Sequence, residues 1–228
     1  VMRTISSFFG LIEPETKEND QMKIAIRLIA AFGPAILYWY HFANSGIRIN
    51  AQTSENDTVA ENFMKLMNLT DKADPTLVKA FDVSLILYAE HDFAASTFAA
   101  RVTASTRADF YSCITTGIGT LRGPLHGGAN EAAMEFLTPL KDVKHADQVV
   151  DECFANKKLI MGFGHRVYKN GDPRNPIIKS YSKALTKGPY GKPKLFEISE
   201  HVENRMAKEK KMFPNLDFYA ASAYHQCN

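Results

Sequence analysis

Apolar residues recur at helical spacing along most of this chain, and only one short run could form a strand. Asp74-Pro75 reads as an N-cap followed by proline at the first helical position. Beyond it, Leu77, Val78, Phe81, Leu85 and Tyr88 fall on one helix face. The Ala-rich stretch from Ala94 to Ala104 continues or restarts that helix. Further helices are predicted over 130–137, 146–157 and 176–187, and from near Asp217 through Tyr224. The clearest amphipathic one covers 194–211, with Leu195, Ile198, Val202 and Met206 on one side. Leu159-Ile160-Met161 is the one strand-like run, and it reads equally as extended chain. The fold class is therefore mainly α.

Two polar stretches, 44–62 and 186–194, read as loops. The most apolar segment, Ile24 to Ala43, carries Arg27 and is interrupted by Gly33-Pro34. A kinked, buried core helix accounts for it better than a membrane span. No signal peptide is evident, and an opening on Val1 reads as a processed or cut terminus. At 228 residues the chain can bury a substantial core as one medium domain or two small ones. A net charge of +2, spread along the sequence, demands no polyanionic partner and argues against nucleic acid. Three scattered cysteines, Cys113, Cys153 and Cys227, give neither a disulfide framework nor metal spacing and suit a reducing compartment.

Several motifs are absent or incomplete. There is no phosphate loop of the GxxxxGK[ST] type and no HExxH; Gly117, Gly119 and Gly123 miss the dinucleotide fingerprint by one position. Four segments do carry chemistry. Gly123-Pro-Leu-His126-Gly-Gly-Ala-Asn-Glu131 sets a histidine at a flexible turn that opens a helix, where free N–H groups can donate to anions. Gly162-Phe-Gly164-His165-Arg-Val-Tyr-Lys169, with Asp172-Pro-Arg174 behind it, joins glycines, a histidine and cations. Glu90-His91-Asp92 ends an apolar helix, and Pro214-Asn-Leu-Asp217-Phe-Tyr219 places an acid among apolar residues.

Taken singly, each has an ordinary reading: a turn histidine, an N-cap aspartate at 217, a surface arginine at 174. Together they fit proton abstraction next to a carbonyl, an acid removing the proton while neutral histidines stabilise the oxyanion. They fit equally a metal hydrolase with His91, His126, His165 and Asp217 as ligands. Spacing does not separate the two.

The segments GPLHGGANEA, MGFGHRVYKNGDPRN and FPNLDFY closely resemble the three catalytic motifs of the citrate synthase family, in the family's order and at similar intervals. LYAEHDFAASTFAARVTAST, VMRTISSFFG and ILYWYHFA resemble its 2-methylcitrate synthase branch. The resemblance covers essentially the whole chain. It implies a two-lobed helical fold, with residues 1–125 part of the large domain and 126–228 the small domain. The glycines near 123–128 would be the hinge.

The resemblance implies condensation of propionyl- or acetyl-CoA with oxaloacetate, with no metal or redox cofactor. His126 would bond the thioester carbonyl, Asp217 would remove the α-proton, and His165 would hold and protonate the oxaloacetate carbonyl. His91 and Arg174 would bind oxaloacetate. The backbone around Ile160, Gly162 and Gly164 would face CoA, and Lys169 would reach one of its phosphates. A homodimer is implied, in bacterial cytoplasm or mitochondrial matrix, with no nucleic-acid or membrane partner. Family members extend further at both ends, and the C-terminal extension supplies additional arginines to oxaloacetate. A helical module that binds CoA or a partner without turnover is the alternative.

Overall fold

Side-chain caps start most of the helices at the places their sequences mark. The computed structural model describes residues 1–89 and 91–228; Glu90, from the His91 segment, lies outside the described residues. The helices are α1 (Met2–Ile12), α2 (Gln21–Ser45), α3 (Val59–Asn68), α4 (Pro75–Tyr88), α5 (Ala95–Ser105), α6 (Phe110–Leu121), α7 (Gly128–Leu137), α8 (Val143–Ala155), α9 (Asn175–Leu185), α10 (Pro193–Lys210) and α11 (Leu216–Tyr224). Asp20, Thr58, Asp74, Asp109, Asp142 and Asn215 each accept a backbone N–H of the first turn, satisfying donors the helix itself leaves open. Among the described residues no strand forms, only an isolated antiparallel bridge between Phe163 and Pro214. The mainly α expectation therefore holds.

The chain divides into two compact units, Val1–Ala73 with Glu90–Gly127, and Asp74–Ala89 with Gly128–Asn228. In the first, Ile24 and Leu28 of α2 meet Tyr111 of α6, packed round by Phe9, Phe32, Phe110 and Ile114. Tyr111 is tied down at both ends: its carbonyl accepts from the Ser6 hydroxyl at 3.3 Å, and its own hydroxyl donates to the Glu13 carbonyl at 3.0 Å. Helices α5 and α6 lie side by side.

The apolar helix α2 differs from expectation. It runs unbroken through Gly33-Pro34, and only Ile24, Leu28, Leu37 and His41 are buried. Ile26, Ile29, Ile36, Trp39 and Tyr40 are exposed, so the buried core helix read from the sequence is corrected to a one-sided one. It is long and apolar enough to cross a membrane. Even so, Arg27 is ion-paired with Glu13, and His41 Nε2 lies 2.9 Å from the Leu66 carbonyl, so these two polar side chains are matched within the protein.

The second unit is organised around α11. Seven of its nine residues are buried, and α9, α7, α10 and α4 pack against it. A helix enclosed on all sides has to be free of charge round its circumference, and Phe218 to Ala223 meets that condition, with Ser222 hydrogen-bonded. Asp217 is the acidic exception. Ile178, Leu185, Phe196, Ile198, Val202 and Met206 supply the surrounding core.

Candidate active site

In the second unit the site grows from the stretch that precedes α11. Residues 162–164 run antiparallel beside 213–215: Gly164 N–H donates to the Phe213 carbonyl (2.8 Å), and Asn215 N–H donates to the Gly162 carbonyl (2.9 Å). The Asn215 amide adds a bond to the Gly164 carbonyl (2.9 Å), while its side-chain oxygen caps Asp217 N–H at 3.0 Å. Asn215 is thus the N-cap. Asp217 stands in the first turn, where the helix dipole favours a negative charge, and is not used as the cap that a reading of it alone suggests.

Asp172 holds the other side of this corner. Its side chain is fully buried. It accepts Arg174 Nε at 3.0 Å and Nη2 at 2.8 Å, Arg174 N–H at 3.0 Å, and Leu216 N–H at 2.9 Å. Burial pushes this carboxyl up, and the bonds from Arg174 and Leu216 outweigh it and hold it below the usual carboxylate range. Arg174 is therefore a paired, mostly buried cation and not a surface charge. Its guanidinium lies 5.8 Å from the Tyr168 ring centre, and the His165 ring lies 4.6 Å from the same ring. His165, Tyr168, Arg174, Asp172 and the start of α11 form one continuous set.

His165 Nδ1 accepts N–H bonds from Val167 (3.1 Å) and Tyr168 (3.2 Å). A backbone N–H only donates, so the ring proton is assigned to Nε2. In the first unit, His126 follows the same rule with its nitrogens exchanged. Ser96 N–H donates to His126 Nε2 at 3.3 Å, and the Ser96 hydroxyl lies 2.9 Å from that nitrogen, which assigns the proton to Nδ1. His91 is half-buried in the segment leading into α5.

The remaining residues expected in the site are in the second unit. Ile160 is buried, and Gly162 and Gly164 adopt φ of +89° and +74°. Lys169 is exposed and its ammonium donates to the Arg166 carbonyl at 3.4 Å. Three residues that the sequence reading left out join them: Asp172, Tyr88 and Asn130. The Tyr88 hydroxyl donates to Asp217 Oδ1 at 2.6 Å, and Asn130 Nδ2 donates to the Asp217 carbonyl at 3.3 Å. Among the described residues no three His, Cys, Asp or Glu side chains cluster as metal ligands.

The family model described as citrate synthase, C-terminal domain, matches residues 1–228. The chain belongs to the citrate synthase family. Within it, the chain is 50% identical over 226 residues to a 2-methylcitrate synthase of Shewanella oneidensis, covering 99% of this chain and 59% of that relative. It is 42% identical over 227 residues to citrate synthase 2 of Bacillus subtilis, covering 98% of this chain and 60% of that relative. Its structure superposes with a TM-score of 0.87 at 29% identity on citrate synthase from the archaeon Thermoplasma acidophilum, solved as a ternary complex with carboxymethyl coenzyme A and oxaloacetate. That match covers 100% of this chain and 60% of the other. The chain thus spans about three fifths of the length of these citrate synthase relatives. Enzymes of the family act on CoA thioesters and need no further cofactor.

Proposed function

We propose that this chain takes part in condensing acetyl- or propionyl-CoA with oxaloacetate to give citrate or 2-methylcitrate and free CoA. The observation that carries the reading is the pair of histidines. Each spends one ring nitrogen on backbone N–H donors, which leaves the opposite nitrogen protonated and the ring neutral. A neutral imidazole that donates is what stabilises an enolate without surrendering a full proton first.

In the proposed sequence Asp217 takes the α-proton of the thioester, and His126 Nδ1–H bonds the carbonyl oxygen as it gains charge. Donors of this kind are worth roughly 3–4 kcal/mol each. The enolate carbon attacks the oxaloacetate carbonyl, whose oxygen is held and then protonated by His165 through Nε2. His91 and Arg174 hold the oxaloacetate carboxylates. Water then cleaves the thioester, releasing CoA from a segment that includes Ile160, Gly162, Gly164 and Lys169. Residues 1–125 are assigned to the family's large domain and 126–228 to its small domain, acting as a homodimer in a reducing cytoplasm or matrix. Of the two acyl groups we favour propionyl, on the 50% identity to a 2-methylcitrate synthase.

The 59–60% coverage of the relatives motivates a second reading, a helical module that binds CoA without turnover. Release of CoA thiol from each acyl-CoA with oxaloacetate, in this chain and in Asp217→Asn, separates them. Oxaloacetate-dependent release that falls by at least about 10³-fold in the variant is expected, because base and oxyanion donors act as a unit. Release that survives in Asp217→Asn rejects the base assignment. A folded chain that binds CoA and releases none favours the module.

A further inference from the structure

The reading of Asp217 as the base leaves open what sets its basicity, and the second unit contains the answer within three helices. Tyr88 is the last residue of α4, Asn130 lies in the first turn of α7, and Asp217 in the first turn of α11. The phenol donates to Asp217 Oδ1 at 2.6 Å, a length typical of an O–H bond to a charged carboxylate. Asn130 Nδ2 donates to the phenol oxygen at 3.4 Å and to the Asp217 carbonyl at 3.3 Å. An amide N–H arriving at the phenol oxygen occupies its acceptor side and turns its proton toward the carboxylate, so the two bonds reinforce each other.

We propose that Tyr88, oriented by Asn130, is a positioning residue that holds the Asp217 carboxylate in place and keeps it ionised. The inference rests on the proposed role of Asp217. A hydrogen bond made to the charged form favours that form, so the phenol opposes protonation of the carboxylate until a substrate proton is delivered. The phenol itself stays protonated: the dense packing round its hydroxyl, then the charge and bond of Asp217, push its pKa upward. Among the described residues, titratable and charged groups near the pair include Arg174 just before α9 and Tyr224 on α11, with Asp172 behind Arg174 and Cys227 behind Tyr224. Tyr224 and Cys227 are both pushed up to about 12 and Arg174 stays charged, so of these groups Asp172 shares the acid range.

The test is a ¹³C titration of the Asp217 side-chain carboxyl by NMR, in the unaltered chain and in Tyr88→Phe. It needs no turnover, and Tyr88 is 41% exposed, so the substitution removes one oxygen without opening a core cavity. Loss of a bond to a charged group is expected to raise the Asp217 midpoint by about one unit or more while the Asp172 midpoint stays put. Asn130→Ala, which removes the amide that aims the phenol, is expected to move Asp217 in the same direction by less. An Asp217 midpoint unmoved in both variants overturns the proposal. A moved midpoint together with undiminished CoA release in Asp217→Asn would leave the positioning intact and reject the base reading, so the two failures are distinguishable.

Discussion

The Asp172 carboxylate has no exposed surface, yet it carries the Arg174 fork on one side and the Leu216 amide on the other. Replacing it with asparagine removes the counter-charge of an arginine whose side chain is only 17% exposed. Breaking a buried pair from one side costs roughly 3–5 kcal/mol, and the residual exposure of Arg174 places Asp172→Asn near the lower end. Urea unfolding should show a lower midpoint with an unchanged slope; a loss below about 1 kcal/mol would mean that the pair organises nothing. Asp172 sat in full view within the DPR segment and was passed over, because a sequence does not say which carboxylate faces inward. Tyr88 and Asn130 were hidden for the opposite reason. They lie 129 and 87 residues from Asp217, so only the packing of α4 and α7 on α11 brings them to it. The histidines, Arg174 and Asp217 stand out as candidates because their motifs are contiguous, but a sequence does not show their bonding partners.

At the level of elements, the loop before α11 depends on close approach. A Cβ built on Gly162 would lie 2.8 Å from Phe218 Cβ, at a φ of +89° that side-chain-bearing residues rarely adopt. Gly162→Ala should therefore cost roughly 2–4 kcal/mol from left-handed backbone and overpacking combined. It should also displace Phe218 and, with it, the turn that carries Asp217, lowering the thermal midpoint and any CoA release together. A variant as stable as the parent would show that the loop yields instead. Helices α4, α5, α7, α8, α9, α10 and α11 lie within three residues of their expected spans, α4 behind Asp74-Pro75. Three helices, α1, α3 and α6, are not anticipated. Helix α1 has no side-chain N-cap to announce it. Helix α6 contains Gly117 and Gly119, which the sequence weighs only as part of an incomplete dinucleotide fingerprint; a Cβ on Gly117 would stand 3.9 Å from Ala100 Cβ on α5. The loop expected over 44–62 is shorter, since α3 begins at Val59 behind the Thr58 cap. For α2, hydropathy was mistaken for burial: apolar residues all round a helix say nothing about how many sides are covered.

Across the whole molecule, the titrating groups define a window of stability whose edges have opposite origins. On the acid side, burial and then Lys192 hold the His225 pKa below its ordinary 6.5. Its charged form is thus disfavoured in the fold, and stability is complete above 6.5 and declines below it. Further down, Asp172 and Asp147 are held below the usual carboxylate range, Asp147 by His201 and then Arg205. Their contributions are present above about pH 4 and lost as pH falls through the lowered values. On the alkaline side, burial pushes the Cys227 thiol from 9.0 to about 12. The unfolded chain then loses that proton first, so stability falls as pH rises beyond 9.0. Tyr224 follows from 10.0, also pushed to about 12, chiefly by burial. Thermal midpoints measured against pH should therefore form a plateau between about 6.5 and 9.0. Cys227→Ala supplies the control: Cys113, also pushed up from 9.0 chiefly by burial, still titrates, so the alkaline fall should keep its onset and become shallower until Tyr224 joins it from 10.0. An alkaline limb with an unchanged slope would assign the loss to other groups, and an acid limb that begins only near pH 4 would remove His225 from the account.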